Sequence, residues 1–443
     1  MAESLQGYID EAIETRRRLH ARPELGWTEF ETTALIASRL GALGFSVRVG
    51  AEALDPAAVM GRDEDAARAA EARARKAGVP ESLLKRMAGY TGAIGEFDTG
   101  RPGPLLAMRF DIDALPILET GDPAHLPASQ GFASAFPGIM HACGHDCHTG
   151  IGLALARWAA DHADELRGRL RFIFQPAEEG TRGAAAMVAA GAVDDADWFI
   201  GAHVGAPAKQ GEIRVCEAGF MATTKFDAEF TGVASHAGSR PEAGRSALIA
   251  AADAALLLTA IPRTSQGDTR VAVGLLNAGE GRNITPAHAH MEFEVRGSTH
   301  EANRYMAERA IDAVKGCAAA VGVKAEIRKA GEADAIASTE AANRLLMEVA
   351  SGIPGVRPML VREVAGSDDC TLYMRRAVER GANAGFFLYG CETKGHHRPD
   401  FDIIDTESMG PGFRMFAGAV RKILGPVTPA AKPPKTGDFF TAC

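Results

Sequence analysis

The sequence predicts an α/β fold on a mostly parallel central sheet, with a smaller α+β domain inserted into it. Three observations carry that expectation. Short apolar runs such as Pro104-Leu-Leu-Ala-Met-Arg-Phe110 alternate with helix-period segments, as in buried strands joined through helices. Between about residues 222 and 328 the pattern becomes alternating strands and two helices in the order βαββαβ, one antiparallel sheet backed by two helices as in a ferredoxin-like split unit. Beyond residue 329 the earlier pattern resumes. The domains are therefore expected at 1–221 and 329–424 for the larger unit and 222–328 for the inserted one. The 443 residues, 46% of them hydrophobic, suffice for two cores.

In chain order, residues 4–21 and 29–43 read as amphipathic helices around the loop Arg22-Pro23-Glu24-Leu25-Gly26, and 44–49 alternates as a strand. Residues 51–92 differ: Ala, Arg and Glu dominate 63–76, Pro80 restarts the pattern, and 83–87 completes a helical hairpin. This is a surface insertion, packed over the site or against a partner, or else a solvated decoration. The run at 104–110 ends in Asp111-Ile112-Asp113, and a helix is expected from about 149 to 160. Leu170-Arg-Phe-Ile-Phe174 leads to Gln175-Pro176-Ala177-Glu178-Glu179-Gly180, and Trp198-Phe-Ile-Gly-Ala202 leads to His203. Ligands of open α/β sheets bind outside the carboxyl ends of strands, so these three ends should converge. The inserted domain reads as strands at 224–232, 268–277, 287–298 and 323–329 with helices at 246–259 and 301–321. A strand at 384–389, a loop at 395–402 and a helix at 404–424 follow. The tail from Gly425, with four prolines, is expected to be disordered.

A net charge of −9 disfavours nucleic acid and anionic membrane as partners. The start shows no basic segment followed by an apolar run, and no stretch of about 18 apolar residues follows, which predicts a soluble, cytoplasmic protein. Seven cysteines without framework spacing predict reduced thiols.

The chemistry concentrates in His141-Ala-Cys143-Gly-His145-Asp146-Cys147-His148, where three imidazoles, two thiols and a carboxylate crowd together. Cys143 and His145, two apart, can turn toward one zinc-like ion, while Asp146 and the remaining histidines would orient ligands through a ring N–H. Such a cluster is structural about as often as not; the candidate ligands at the strand ends favour the metal. Glu178-Glu179 is informative because adjacent carboxylates beyond a buried strand cost several kcal/mol unless cations compensate them. One could bind an ion while the other takes a proton from water, although the dipeptide alone does not say which. The alternative is a solvated pair at a helix start. Of the adjacent His396 and His397, one is expected to be a ligand.

Taken together, Cys143-Gly-His145-Asp146, Pro176-Ala-Glu178-Glu179-Gly180, His203, Ser235-His236-Ala237-Gly238, and His397 followed by Phe401-Asp402 resemble one family across nearly the whole chain. It is that of the dinuclear metallohydrolases related to aminoacylases, hippurate hydrolases and auxin-conjugate amidohydrolases. Arg101-Pro-Gly-Pro104, Gly180-Thr-Arg-Gly183, Phe220-Met-Ala-Thr-Thr-Lys-Phe226, Gly366-Ser367-Asp368 and the 51–92 insertion are similar to the subgroup acting on aroyl-glutamates.

The resemblance implies a metallopeptidase-like catalytic domain with a lid and dimerisation domain. It implies two divalent ions, manganese or zinc, on Cys143 as bridging thiolate, His145, Glu179, His203 and His397. Glu178 becomes the base. His236 reaches the scissile carbonyl, often from the opposite protomer, and Asn283 and Arg296 contact the substrate carboxylate. The chain departs from the pattern at Cys147, where a small residue is usual, and at Arg398. The expected activity is hydrolysis of an aroyl or arylacyl amide of an acidic amino acid such as p-aminobenzoyl-glutamate, with indole-3-acetyl-aspartate as the second choice. The working form is a homodimer or a heterodimer with a homologous chain. A non-catalytic binding partner in a heteromer would carry a broken ligand set, whereas all five ligands are present.

Overall fold

The structure, a computed structural model, describes residues 5–362 and 366–426. The expected disordered tail, from residue 427 on, lies outside the described residues.

Six strands come before the inserted domain: β1 (Ser46–Val49), β2 (Ala93–Asp98), β3 (Leu105–Asp111), β4 (Arg169–Gln175), β5 (Trp198–Val204) and β6 (Glu212–Cys216). The inserted domain supplies β7 (Ala222–Thr231), β8 (Thr269–Ala278), β9 (His288–Gly297) and β10 (Lys324–Ala333), and β11 (Arg357–Val361) and β12 (Asn383–Tyr389) follow. The larger sheet has the order β1-β2-β4-β3-β5-β12-β6-β11. Its middle, β4-β3-β5-β12, is parallel, as is β6 with β11; the pairs β1-β2, β2-β4 and β12-β6 are antiparallel. β3 is buried at every position, as its nearly continuous apolar run requires of a strand covered on both faces. Phe110 stacks on Phe174 (5.5 Å) and meets Phe416 of the C-terminal helix Asp405–Leu424 (5.0 Å).

The helix expected from about 149 starts at His145 instead. Gly144 makes the difference: its φ of +92° is left-handed, and a Cβ there would lie 2.4 Å from Val204 Cγ1. The chain turns from Cys143 straight into the first helical turn, which puts His145, His148 and Thr149 on one face at i, i+3 and i+4.

The N-terminal helix Gln6–His20 contributes Arg16, whose buried guanidinium bonds Asp146 (3.1 Å), Asp402 (2.6 Å) and Asp405 (3.1 Å). Burying one arginine is tolerable because three carboxylates meet it, and the cluster ties both chain ends to the Cys143 loop.

In the inserted domain β10-β7-β9-β8 is wholly antiparallel. The helices Ala247–Thr259 and His300–Ala320 cover one face, where Phe226, Phe230, Met291, Phe293 and Val314 form a separate core. Period-two alternation turns Thr223, Lys225 and Asp227 of β7 to the opposite face. The hairpin expected in the insertion is present as Glu64–Lys76 and Glu81–Met87. Arg73 bonds Glu24 (2.6 Å) and Glu31 (3.1 Å), while the Gly61 carbonyl accepts from Arg182 (2.9 Å) just past Glu179. The insertion therefore buttresses the N-terminal helices and touches the Glu178-Glu179 loop. Short elements that the pattern did not announce are β6, β11 and the helices Ala184–Ala189, Glu340–Ser351 and Cys370–Glu379. Cysteines 143, 147, 216, 317, 370 and 391 are all free thiols. Among the described residues no helix is long and apolar enough to cross a membrane.

Candidate metal and catalytic site

The ends of β3, β4 and β5 converge as expected, and hydrogen bonds decide which of the donor atoms there remain free. Asp113, two residues past β3, accepts from His145 Nδ1 (3.1 Å) and from the amides of Glu178 and Glu179 (3.0 Å each). His145 Nε2 is left buried without a hydrogen bond, 3.7 Å from a Glu178 carboxylate oxygen. His148 Nε2 accepts the Val204 amide (3.0 Å), so its Nδ1 holds the proton and donates to Asp111, and no lone pair remains for an ion. Asp111 is also engaged by Arg109, which bonds Gln175 (2.8 Å) and Asp369 (3.0 Å) in turn. His203 donates Nδ1–H to the Val204 carbonyl (2.7 Å) and aims Nε2 at Cys143 Sγ (3.5 Å). Glu179 Oε1 is buried with no hydrogen bond and lies 3.3 Å from His397 Nε2. Cys143, Glu179 and His397 have donor atoms within 4.8 Å of one another, as do His145, Glu178 and Glu179.

Orphaned lone pairs in a buried site are what a bound cation satisfies. The electrostatics agree. Burial pushes the Cys143 thiol well up and the charge of Glu179 pushes it further, so a cation is needed to hold it as thiolate. Burial keeps the His203 imidazole well below its usual range and therefore neutral. Burial alone would lower His145, but Asp111 and the bond to Asp113 raise it well above normal, the response of a nitrogen in a site built for positive charge. Glu178 is raised well above a normal carboxylate by burial and then by Asp368, Glu179 and Asp369. That suits a group that takes up a proton and returns it. His396 also reaches Cys143 through Nδ1 (3.5 Å), and Gly205 (φ +95°) makes room for it, since a Cβ there would be 2.5 Å from His396 Nε2. Burial lowers His396 to about 4. His397, in left-handed backbone at φ +59°, is the member of the pair that meets Glu179.

Residues 107–422 match the model of peptidase family M20/M25/M40. The chain belongs to this family. It is 46% identical over 406 residues to the indole-3-acetyl-aspartic acid hydrolase of Enterobacter agglomerans, covering 90% of this chain and 93% of that protein. Against one subunit of the p-aminobenzoyl-glutamate hydrolase of Escherichia coli K12 the identity is 44%, covering 88% of this chain and 90% of the other. Among solved structures, the aminobenzoyl-glutamate utilization protein of Klebsiella pneumoniae superposes with TM-score 0.81 at 39% identity, covering 95% of this chain and 98% of the other. A Bacillus subtilis dinuclear metal-binding peptidase of the M20 family gives 0.65 at 26% identity over 94% and 99%. The expectation of a hydrolase in this family holds.

The M20 chain's cavity, about 310 Å³, has Cys143, Glu178, Glu179, His203 and His397 on its floor and Thr223, Lys225 and Arg296 from β7 and β9 above. Arg296 is thus at the site, its Nε donating to Glu294 (2.7 Å). His236 and Asn283 do not line the cavity of their own chain. They stand exposed on adjoining lid loops, joined by the Ala237 amide to the Asn283 carbonyl (3.1 Å). His236 Nδ1 accepts the amides of Gly238 (3.1 Å) and Ser239 (3.2 Å), which fixes the proton on Nε2 as an outward donor.

Asp146 faces away from the ligands, contrary to expectation. It accepts from Arg16 (3.1 Å), His20 (2.8 Å) and the Cys147 amide (2.9 Å), because the helix start rolls it toward the N-terminal helix, and Asp113 orients His145 instead. Asp113 and Asp111 were visible as a strand-end acid pair, but their partners lie far off in sequence. Lys225 lay within the 220–226 segment, but no role of its own was legible there.

Proposed function

We propose that this M20 chain hydrolyses the amide bond of an N-aroyl or N-arylacyl acidic amino acid, best p-aminobenzoyl-glutamate to p-aminobenzoate and glutamate. The observation that carries the reading is a buried Glu178 beside converging donor atoms of Cys143, His145, Glu179, His203 and His397, of which His145 Nε2 and Glu179 Oε1 have no hydrogen bond. Two divalent ions, manganese or zinc, held there would polarise the scissile carbonyl and acidify water. Glu178 takes a proton from the water as its oxygen bonds to the carbonyl carbon, and delivers that proton to the amine nitrogen as the C–N bond breaks. His236 Nε2–H stabilises the carbonyl oxygen as charge builds on it, and Arg296 and Asn283 receive the substrate carboxylate.

His236 and Asn283 act on a second copy's site in this reading. Support comes from the exposed apolar face next to them: Leu248, Ile249, Leu256 (70% exposed) and Leu257 on the lid helix, with Leu275 and Leu276 on edge strand β8. A face of that kind suits an isologous dimer, here a homodimer, the alternative being a heterodimer with a homologous chain. Six unpaired thiols favour a cytoplasmic setting. Indole-3-acetyl-aspartate is the second substrate reading, favoured by the 46% identical relative. Cleavage assays on both compounds after loading with manganese or zinc test the proposal. Product from at least one is expected, and cleavage of neither overturns it.

A further inference from the structure

Among the described residues lining the cavity, the lysine and arginine side chains are Lys225 and Arg296 only, and they differ in how they are held. Arg296 is steadied by Glu294, which stands directly opposite Lys225 in the β7–β9 register. With its cross-strand neighbour taken, the half-buried Lys225 side chain has no hydrogen bond or ion pair among the described residues; Asp227, two places along the same face, makes none with it. The floor beneath carries Glu178, Glu179 and Asp368, groups that repel an anionic side chain. A half-buried ammonium with no side-chain partner is free to meet an anion that arrives with the substrate.

We propose that Lys225 is the specificity-determining residue that receives the side-chain carboxylate of an acidic amino acid. The inference rests on the proposed acyl-amino-acid hydrolysis and adds to it the reason for an acidic leaving group. Every N-acyl amino acid has an α-carboxylate, for which Arg296 and Asn283 stand; a second carboxylate calls for a second cation. Lys225 lies diagonally from Arg296 across one strand pair, about 7–8 Å along the same sheet face, so two separate anionic groups can be held side by side. A lysine's flexible stem and three donors also allow side chains of two lengths to be met, aspartate as well as glutamate.

The test compares p-aminobenzoyl-glutamate with p-aminobenzoyl-glutamine, alike in shape but lacking the second charge, on the manganese-loaded full chain. The wild type is expected to favour glutamate by about 10- to 100-fold in kcat/KM, the discrimination of one charge-assisted hydrogen bond. Lys225→Met should bring that ratio toward one by raising KM for the glutamate compound more than it changes kcat. Lys225→Arg should keep the preference, and Lys225→Glu should shift it toward p-aminobenzoyl-lysine. A wild type without preference, a ratio unchanged in Lys225→Met, or an equal loss on both compounds overturns the assignment while leaving the hydrolytic reading intact. Failure of the wild type to cleave any of these compounds, or indole-3-acetyl-aspartate, overturns both.

Discussion

The layer beneath the cavity and the exposed lid loops are built on different terms. Asp111, Asp113, His145 and His148, at the ends of β3 and the start of the following helix, are at most 3% exposed, and each is bonded to another. On the lid, His236 and Asn283 stand in water, bonded mainly through backbone. The contrast separates two ways of preparing a catalytic group. Desolvation fixes lone pairs and moves proton affinities before any substrate arrives, whereas an exposed loop can fix a tautomer but acquires a dry environment only when another surface covers it.

The sharpest way to break the comparison is at the base. Glu178→Gln should keep both metals by elemental analysis yet lose turnover on the order of 10³-fold or more, since only proton transfer is removed. Retained turnover in a metal-replete variant would remove Glu178 from the chemistry. On the lid loops, His236→Ala should lose about 10²- to 10³-fold. If the site is completed by a second chain, mixing these two inactive variants should restore roughly a quarter of wild-type activity, because half the dimers then hold one intact site of two. Verified heterodimers that stay silent would place His236 over its own floor or outside catalysis.

Beneath the ligands the expected effects shrink. Asp113→Asn should weaken metal binding about 10- to 100-fold in chelator competition, because a neutral amide cannot accept all three bonds that hold His145, Glu178 and Glu179. Unchanged affinity would make the ligands self-supporting. The smallest effect concerns His20, buried between Asp146 and Glu119. Burial alone would lower its pKa, but hydrogen bonds to both carboxylates raise it above 6.5. A raised folded value means that its stabilisation is complete below the unfolded pKa and is lost as pH climbs through the folded one. The gap in denaturation midpoint between wild type and His20→Gln should therefore be wider near about pH 5.5 than near about pH 9. A gap that widens toward alkaline pH would contradict a charged His20.

The strand ends and the βαββαβ order were legible because both rest on local patterning: a nearly continuous apolar run for β3, period-two alternation for β7 to β10. The donor-rich stretch around Cys143 was legible from its density of side chains. Asp146 was misread because facing direction depends on where the helix starts, and that is set by Gly144 against Val204, 60 residues away. β6 and β11, five residues each, are too short to stand out in a window suited to helices. Lys225 escaped notice for a different reason: a lysine on a polar strand face is unremarkable until the carboxylate opposite it is known to belong to Arg296.

The three bonds on Asp113 also bear on how the site tolerates motion. The His145 imidazole and the backbone of the two adjoining glutamates hang from a single carboxylate. When thermal movement shifts that anchor, the proposed ligand His145 and the proposed base Glu178 are carried in the same direction, so the error they share drops out of the distance between them. Alignment across the reacting bond then depends on one short side chain, and the long loops on either side can drift without spoiling it.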